Sequence, residues 1–98
     1  MIIHQREMNY ARHYDEFFAA VAKAKDYMEK KYPEISIQLM YNLAGERGRL
    51  TIQTTYPTLA DYERIDADSD QDEAFQEILD SVMTESVRPL VDQFYRTI

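Results

Sequence analysis

Two histidines, His4 and His13, are the side chains of this 98-residue chain best suited to moving a proton near neutral pH. There is no cysteine, which excludes thiol nucleophiles, disulfides and thiolate zinc sites. His4 lies in Ile2–Met8, a short run that also carries Arg6 and Glu7. On an extended strand Arg6 and Glu7 point to opposite faces, so at least one of them faces the interior, where a charge needs a partner or a task. Asp92 and Arg96, near the other end of the chain, are candidate partners. His4 and Arg6 are therefore the candidate catalytic residues, with His4 as general base. The competing reading makes them a hydrogen-bonded sheet residue and a structural ion pair.

Eight tyrosines are many for this length. Tyr41, Tyr56 and Tyr95 fall in strand-like runs, where they would line an aromatic pocket whose hydroxyls orient a polar ring system. Core packing with hydroxyls at the rim is the alternative. Carboxylates at Asp66, Asp68, Asp70 and Asp72, with Glu77 beyond, repeat the spacing of an EF-hand calcium loop. Gln71 stands where that loop needs glycine, and helix capping explains the same letters. The histidines are nine residues apart with no HExxH pattern, and no GxSxG, Walker loop or GxGxxG occurs. The expectation is no metal and no cofactor.

The elements that must position these residues are legible from periodicity. Ile2–Met8 reads as a first strand. Tyr14, Phe17, Phe18, Val21, Ala24, Met28 and Tyr32 recur at helical spacing over about Arg12–Lys31, and Pro33 stops that helix. Ile35–Ala44 and Leu50–Ala60 hold no charged residue, although 30% of the chain is charged, and both alternate with period two. They form a hairpin across Gly45 and Gly48, with Leu43 set opposite Leu50. Thr58 and Asp61 open a short helix by a capping box, interrupted over Asp66–Asp72. A longer helix follows from about Asp70 to Ser86, capped by Ser69 or Asp70 and closed by Pro89. Leu90–Ile98 is the last strand.

The order is β-α-β-β-α-β, an α+β ferredoxin-like fold with a four-stranded antiparallel sheet in a single domain, 1–98. Helices cover one face of such a sheet. The other face would carry Ser36, Gln38, Met40, Asn42, Thr51, Gln53, Thr55, Gln93, Tyr95 and Thr97, polar but uncharged. Open water normally draws lysine and glutamate to a strand's wet face. Ser36, Gln38, Asn42, Thr51, Gln53 and Thr55 therefore predict a homodimer through this face, closing a dimeric α/β barrel.

The net charge is −7, and half of the 18 acidic residues lie in Asp61–Asp80 beside a single base, Arg64. Such a surface repels phosphate backbones, which argues against nucleic acid. A basic protein partner for this face is a third option. No apolar run approaches the ~20 residues needed to span a bilayer, and MIIHQREMNY lacks the features of a signal peptide. No membrane association and a cytoplasmic location are expected.

A long helix ending in Tyr32-Pro33, a glycine-containing hairpin and the run Tyr56-Pro57-Thr58-Leu59-Ala60-Asp61-Tyr62-Glu63 resemble the dimeric α/β-barrel superfamily, within it NIPSNAP-like and antibiotic-biosynthesis-monooxygenase-like domains. The resemblance covers the whole chain and implies the barrel dimer. It also implies that the turn from first strand to helix lies near a pocket mouth, which adds His13 and Tyr14 to the candidate substrate-binding residues. Haem-degrading members rely on a tryptophan, and this chain has none, so that activity is not carried over. Two readings follow from the resemblance. One is a cofactor-free monooxygenase or related enzyme with a pocket for a hydrophobic or aromatic small molecule. The other is a non-catalytic homodimeric accessory or ligand-sensing module. An open cavity beside the first strand speaks for the first; Phe17, Phe18, Phe75 and Phe94 filling that space speaks for the second.

Overall fold

The computed structural model describes residues 1–10, 14–41, 49–84 and 86–98, with side chains except at residue 10 and residues 86–90. The elements are β1 (Ile2–Tyr10), α1 (Tyr14–Lys31), β2 (Ser36–Tyr41), β3 (Arg49–Tyr56), α2 (Leu59–Asp70), α3 (Glu73–Thr84) and β4 (Ser86–Arg96). The strands form one antiparallel sheet in the order β2-β3-β1-β4. This is the ferredoxin-like α+β architecture, with β1 inside the sheet and β4 at its edge.

Helix α1 buries Phe17, Val21 and Met28 on one stripe, with Asp15 and Glu16 in its first turn and Lys30 and Lys31 in its last. The Thr58 hydroxyl oxygen accepts from the Asp61 amide (3.1 Å) and donates to the Asp61 carboxylate (2.8 Å), opening α2. Contrary to the interruption expected at Asp66–Asp72, α2 runs unbroken to Asp70. Its buried face is held by Ile65 and Ser69, and Ser69 Oγ donates to the Asp66 carbonyl (3.1 Å). Asp66, Asp68 and Asp70, which resemble a loop or a calcium loop in sequence, are helical, and Asp72 lies between α2 and α3. Helix α3 begins at Glu73, later than expected, and neither Ser69 nor Asp70 caps it. Asp72 Oδ1 accepts from the Phe75 amide at 3.1 Å, which makes Asp72 the cap.

Asp72 also ties the helices together. It accepts from the Tyr27 hydroxyl (2.6 Å) and Lys31 Nζ (2.7 Å), while Asp68 accepts from the Tyr32 hydroxyl. Lys31, then Tyr27 and the Phe75 amide, hold the Asp72 carboxyl at about 2. Helix α3 ends at Thr84 without needing Pro89, which falls inside β4. Proline lacks an N–H, and an edge strand tolerates that. The β1–β4 register slips at this point: Glu7 faces Val91 and Asn9 faces Val87, so the strand bulges over 88–90.

The hairpin register differs from the expected one by two residues. Tyr41 faces Leu50, Leu39 faces Ile52 and Gln38 faces Gln53, where Tyr41 opposite Ile52 was expected. A two-residue slip preserves which side chains share a face, so both faces keep their predicted composition. Asn42 and the glycines of the turn lie outside the described residues.

Under the helices the core forms two clusters. One gathers Ile2, Met28, Tyr32, Ile35, Ile37, Tyr56, Ile65 and Phe75, the other Met8, Phe17, Val21, Leu50 and Val82. The opposite face carries three rows that cross all four strands: Ser36–Thr55–Ile3–Tyr95, Gln38–Gln53–Gln5–Gln93, and Met40–Thr51–Glu7–Val91. The middle row is glutamine on every strand. Strand β1 adds one charge to a face expected to have none: Glu7, whose carboxylate accepts from Arg49 Nη1 at 3.2 Å. No helix among the described residues is long and apolar enough to cross a membrane.

Candidate functional site

His4 and Arg6 alternate with Ile2 and Met8 on the helix-covered face of β1. Antiparallel pairing sets Phe94 beside His4 and Asp92 beside Arg6 on β4. Arg6 grips Asp92 with two nitrogens: Nε donates to Oδ1 (2.7 Å) and an Nη donates to Oδ2 (3.3 Å). His4 Nε2 lies 3.0 Å from the same Oδ1. A carboxylate only accepts, so Nε2 carries a proton, and in the neutral ring Nδ1 is then the nitrogen with the lone pair. The Arg6 guanidinium, and after it His4, holds the Asp92 carboxyl below the usual carboxylate range. Arg96 faces Ile2 and takes no part, and Glu7 finds Arg49 on the other side of the sheet.

An aromatic chain continues from this cluster. The His4 ring lies flat on Phe94, centroids 4.5 Å apart and planes 10° from parallel. Tyr62 of α2 meets Phe94 edge-on at 5.1 Å and Tyr56 of β3 edge-on at 5.2 Å. Burial, followed by the nearby Tyr62 and Asp66, pushes the Tyr56 phenol up to about 12. Burial likewise raises Tyr62, with Asp66 next in importance.

These groups border a cavity of about 420 Å³ between the sheet and the helices, beside β1. Its apolar walls come from both core clusters, Met8, Val21 and Val82 from one and Met28, Ile37 and Phe75 from the other, so the cavity occupies the gap between them. Its polar lining includes His4, Arg6, Thr54 and Asp92 from the sheet, Lys25 from α1, and Asp66, Ser69 and Asp70 from α2. Volumes of roughly 300–1,000 Å³ with apolar walls and few polar groups are those of small-molecule sites. Chemically, the arrangement offers an apolar bed, a histidine oriented by a carboxylate, and a guanidinium fixing that carboxylate.

The residues singled out from sequence distribute unevenly. His4, Arg6 and Tyr56 border the cavity. Tyr41 ends β2 with 59% of its surface exposed, and Tyr14 stacks on Phe18 at 5.9 Å; neither lines the cavity. Tyr95 sits on the opposite face, its hydroxyl donating to Gln93 Oε1 at 2.5 Å. His13 lies outside the described residues. Of the four phenylalanines expected to fill a packed core, Phe17 and Phe75 are buried, while Phe18 and Phe94 are exposed and the cavity stays open. Sequence reasoning misses Tyr62 and Thr54 as lining residues and takes Phe94 only as core filling. Alternation along β4 and β3 places Phe94 and Thr54 on the helix-facing side, and Tyr62 stands three residues from both Leu59 and Ile65, so the signal was present. Among the described residues no group of three or more histidine and carboxylate side chains is arranged to hold a metal ion.

No family model matches the sequence, and no curated protein does. Solved structures do match in fold. An uncharacterized NIPSNAP domain protein from Burkholderia xenovorans superposes with a TM-score of 0.82 at 10% identity, over 100% of this chain and 95% of its own. A crystal structure described as an antibiotic biosynthesis monooxygenase gives 0.78 at 9% identity, over 100% and 99%. SnoaB from Streptomyces nogalater, described as a cofactor-independent oxygenase, gives 0.75 at 10% identity, over 98% and 91%. The chain thus shares the ferredoxin-like fold of NIPSNAP and antibiotic-biosynthesis-monooxygenase-like proteins, as its residue pattern implied.

Proposed function

We propose that this chain, as one domain over residues 1–98, is a homodimeric α/β-barrel protein that takes a hydrophobic or aromatic small molecule into the cavity beside β1, with His4 as proton acceptor. The observation that carries the reading is the open cavity bordered by the His4–Asp92–Arg6 cluster. With Nε2–H committed to Asp92, Nδ1 is the atom that takes a proton from an acidic O–H or C–H of the ligand. The imidazolium so formed stays paired with the Asp92 carboxylate, and the ligand is left as its conjugate base. Cofactor-free oxygenation, the activity described for SnoaB, is the reaction class this step would serve here. The dimer is supported by the three rows of the open face, whose sole charge, Glu7, is already matched by Arg49. A cytoplasmic location accompanies this reading.

Native mass spectrometry tests the binding step. The expected result is a dimer carrying a hydrophobic molecule, or one that takes up a neutral dye such as Nile red with a stoichiometry of one per chain. A chain that carries nothing and binds no such dye would sink the proposal. His4→Asn tests the chemistry: ligand binding persists, and solvent exchange of the bound ligand's acidic proton, followed by NMR, stops. One observation favours the non-catalytic ligand-sensing alternative, namely that His4 is already stacked on Phe94 and bonded to Asp92. Binding with unchanged proton exchange in the His4 variant would select that reading.

A further inference from the structure

A second, shallower cavity of about 380 Å³ opens at the β4 edge of the sheet, lined by Ile2, Leu59, Tyr62, Phe94, Tyr95 and Arg96. Tyr62 and Phe94 line this cleft and the inner cavity alike. The wall where the two spaces adjoin is therefore this ring pair. Its two halves come from different elements: Tyr62 from α2 and Phe94 from the edge strand. They touch edge to face at 5.1 Å, and Phe94 keeps 52% of its surface exposed despite lying on His4. A ring pair with solvent on one side and a cavity on the other holds less packing than a core pair.

The geometry points to Tyr62 as a specificity-determining residue: its ring ends the inner cavity and so limits the length of the apolar part that a ligand can bury. The inference rests on the inner cavity being the binding site. Tyr62 is the better half of the wall to change, because Phe94 also supports His4. Removing the Tyr62 ring joins the inner cavity to the outer cleft and lets a longer chain run out beneath Leu59 toward the sheet edge. No bond is made or broken in this role; it sorts ligands by size alone.

A series of straight-chain primary alcohols, competing with Nile red, reads that limit directly. For the wild type, affinity should rise about fourfold per added methylene while the chain is still being buried, and then level off. Tyr62→Ala should leave the short members within about twofold and move the levelling point to chains roughly three carbons longer, the space a phenol ring vacates. Tyr62 also packs against the core, so Tyr62→Leu serves as a second variant that keeps most of that packing, with a smaller shift in the same direction. A folded variant, verified by circular dichroism, whose length profile overlays the wild type would overturn the role of Tyr62 and leave the binding site standing. A wild type that binds neither the alcohols nor the dye would overturn both.

Discussion

Gln53→Lys separates a buried sheet face from a bare one. Gln53 sits in the glutamine row between Gln38 and Gln5, with Gln93 beyond, and is half-buried in the single chain. On an open surface a lysine there swings its ammonium into water, and the change costs within about 0.5 kcal/mol. In a two-fold dimer closed through this face, the row meets its own copy and the ammonium loses its water. The three rows hold one carboxylate, Glu7, and Arg49 already occupies it at 3.2 Å. An unpaired buried ion costs several kcal/mol. At about 3 kcal/mol per chain, symmetry makes the penalty about 6 kcal/mol per dimer, or more than four decades in the dissociation constant. Sedimentation velocity at micromolar concentration should show a wild-type dimer and a Gln53→Lys monomer, with Gln53→Met remaining dimeric as the neutral control. A lysine variant with wild-type mass and melting temperature would refute the interface, as would a wild-type chain that sediments as a monomer.

Three further outcomes are expected. Asp72 titrates at about 2 in the folded chain, below its unfolded value, so its stabilising contribution is present above about pH 4 and lost as pH falls toward 2. Asp72→Asn should lower the melting temperature at neutral pH and flatten its decline across that acid range. Tyr56 is shifted the other way: its folded value of about 12 lies above the ordinary 10, so its contribution is full below pH 10 and disappears as pH rises through 12. Phenolate absorbance should show a late-ionising tyrosine that Tyr56→Phe removes. Ile65, with 0% exposure, should cost about 2–5 kcal/mol as Ile65→Ala in urea unfolding, and a loss under about 1 kcal/mol would contradict its place in the core.

Face composition was readable from sequence, and pairing partners were not, for one physical reason. Period-two alternation states which residues share a face, and a slip of two residues leaves that statement untouched. The turn that settles the register, residues 42–48, lies outside the described residues. Asp66–Asp72 reads as an interruption in sequence, and aspartate is a poor helix former. Tertiary partners reversed that preference: Tyr32 donates to Asp68, and Asp72 gathers Tyr27, Lys31 and the start of α3. Pro89 looked like the end of a helix, a reading that an edge strand with a bulge makes unnecessary. For the site, the partner expected for a charge on β1 is present: Asp92 pairs with Arg6, both partly exposed. Tyr95 shares the parity of Gln93 and lies with it on the far face, as alternation along β4 requires.

The contact between His4 and Asp92 joins residues 88 positions apart, and that between Arg6 and Asp92 spans 86. Both depend on β1 receiving β4 after β3, so the central strand gathers its neighbours from distant parts of the chain. Closing a loop of that length is entropically costly before any contact rewards it, which places such a sheet among slow, high-contact-order folders. The hairpin of β2 and β3 and the helices can form early, and none of them holds the cluster. A ribosome releasing this chain must emit β4 before His4 has its carboxylate, so a nascent or partly folded molecule lacks the His4–Asp92–Arg6 cluster, which is completed only when β4 joins the sheet.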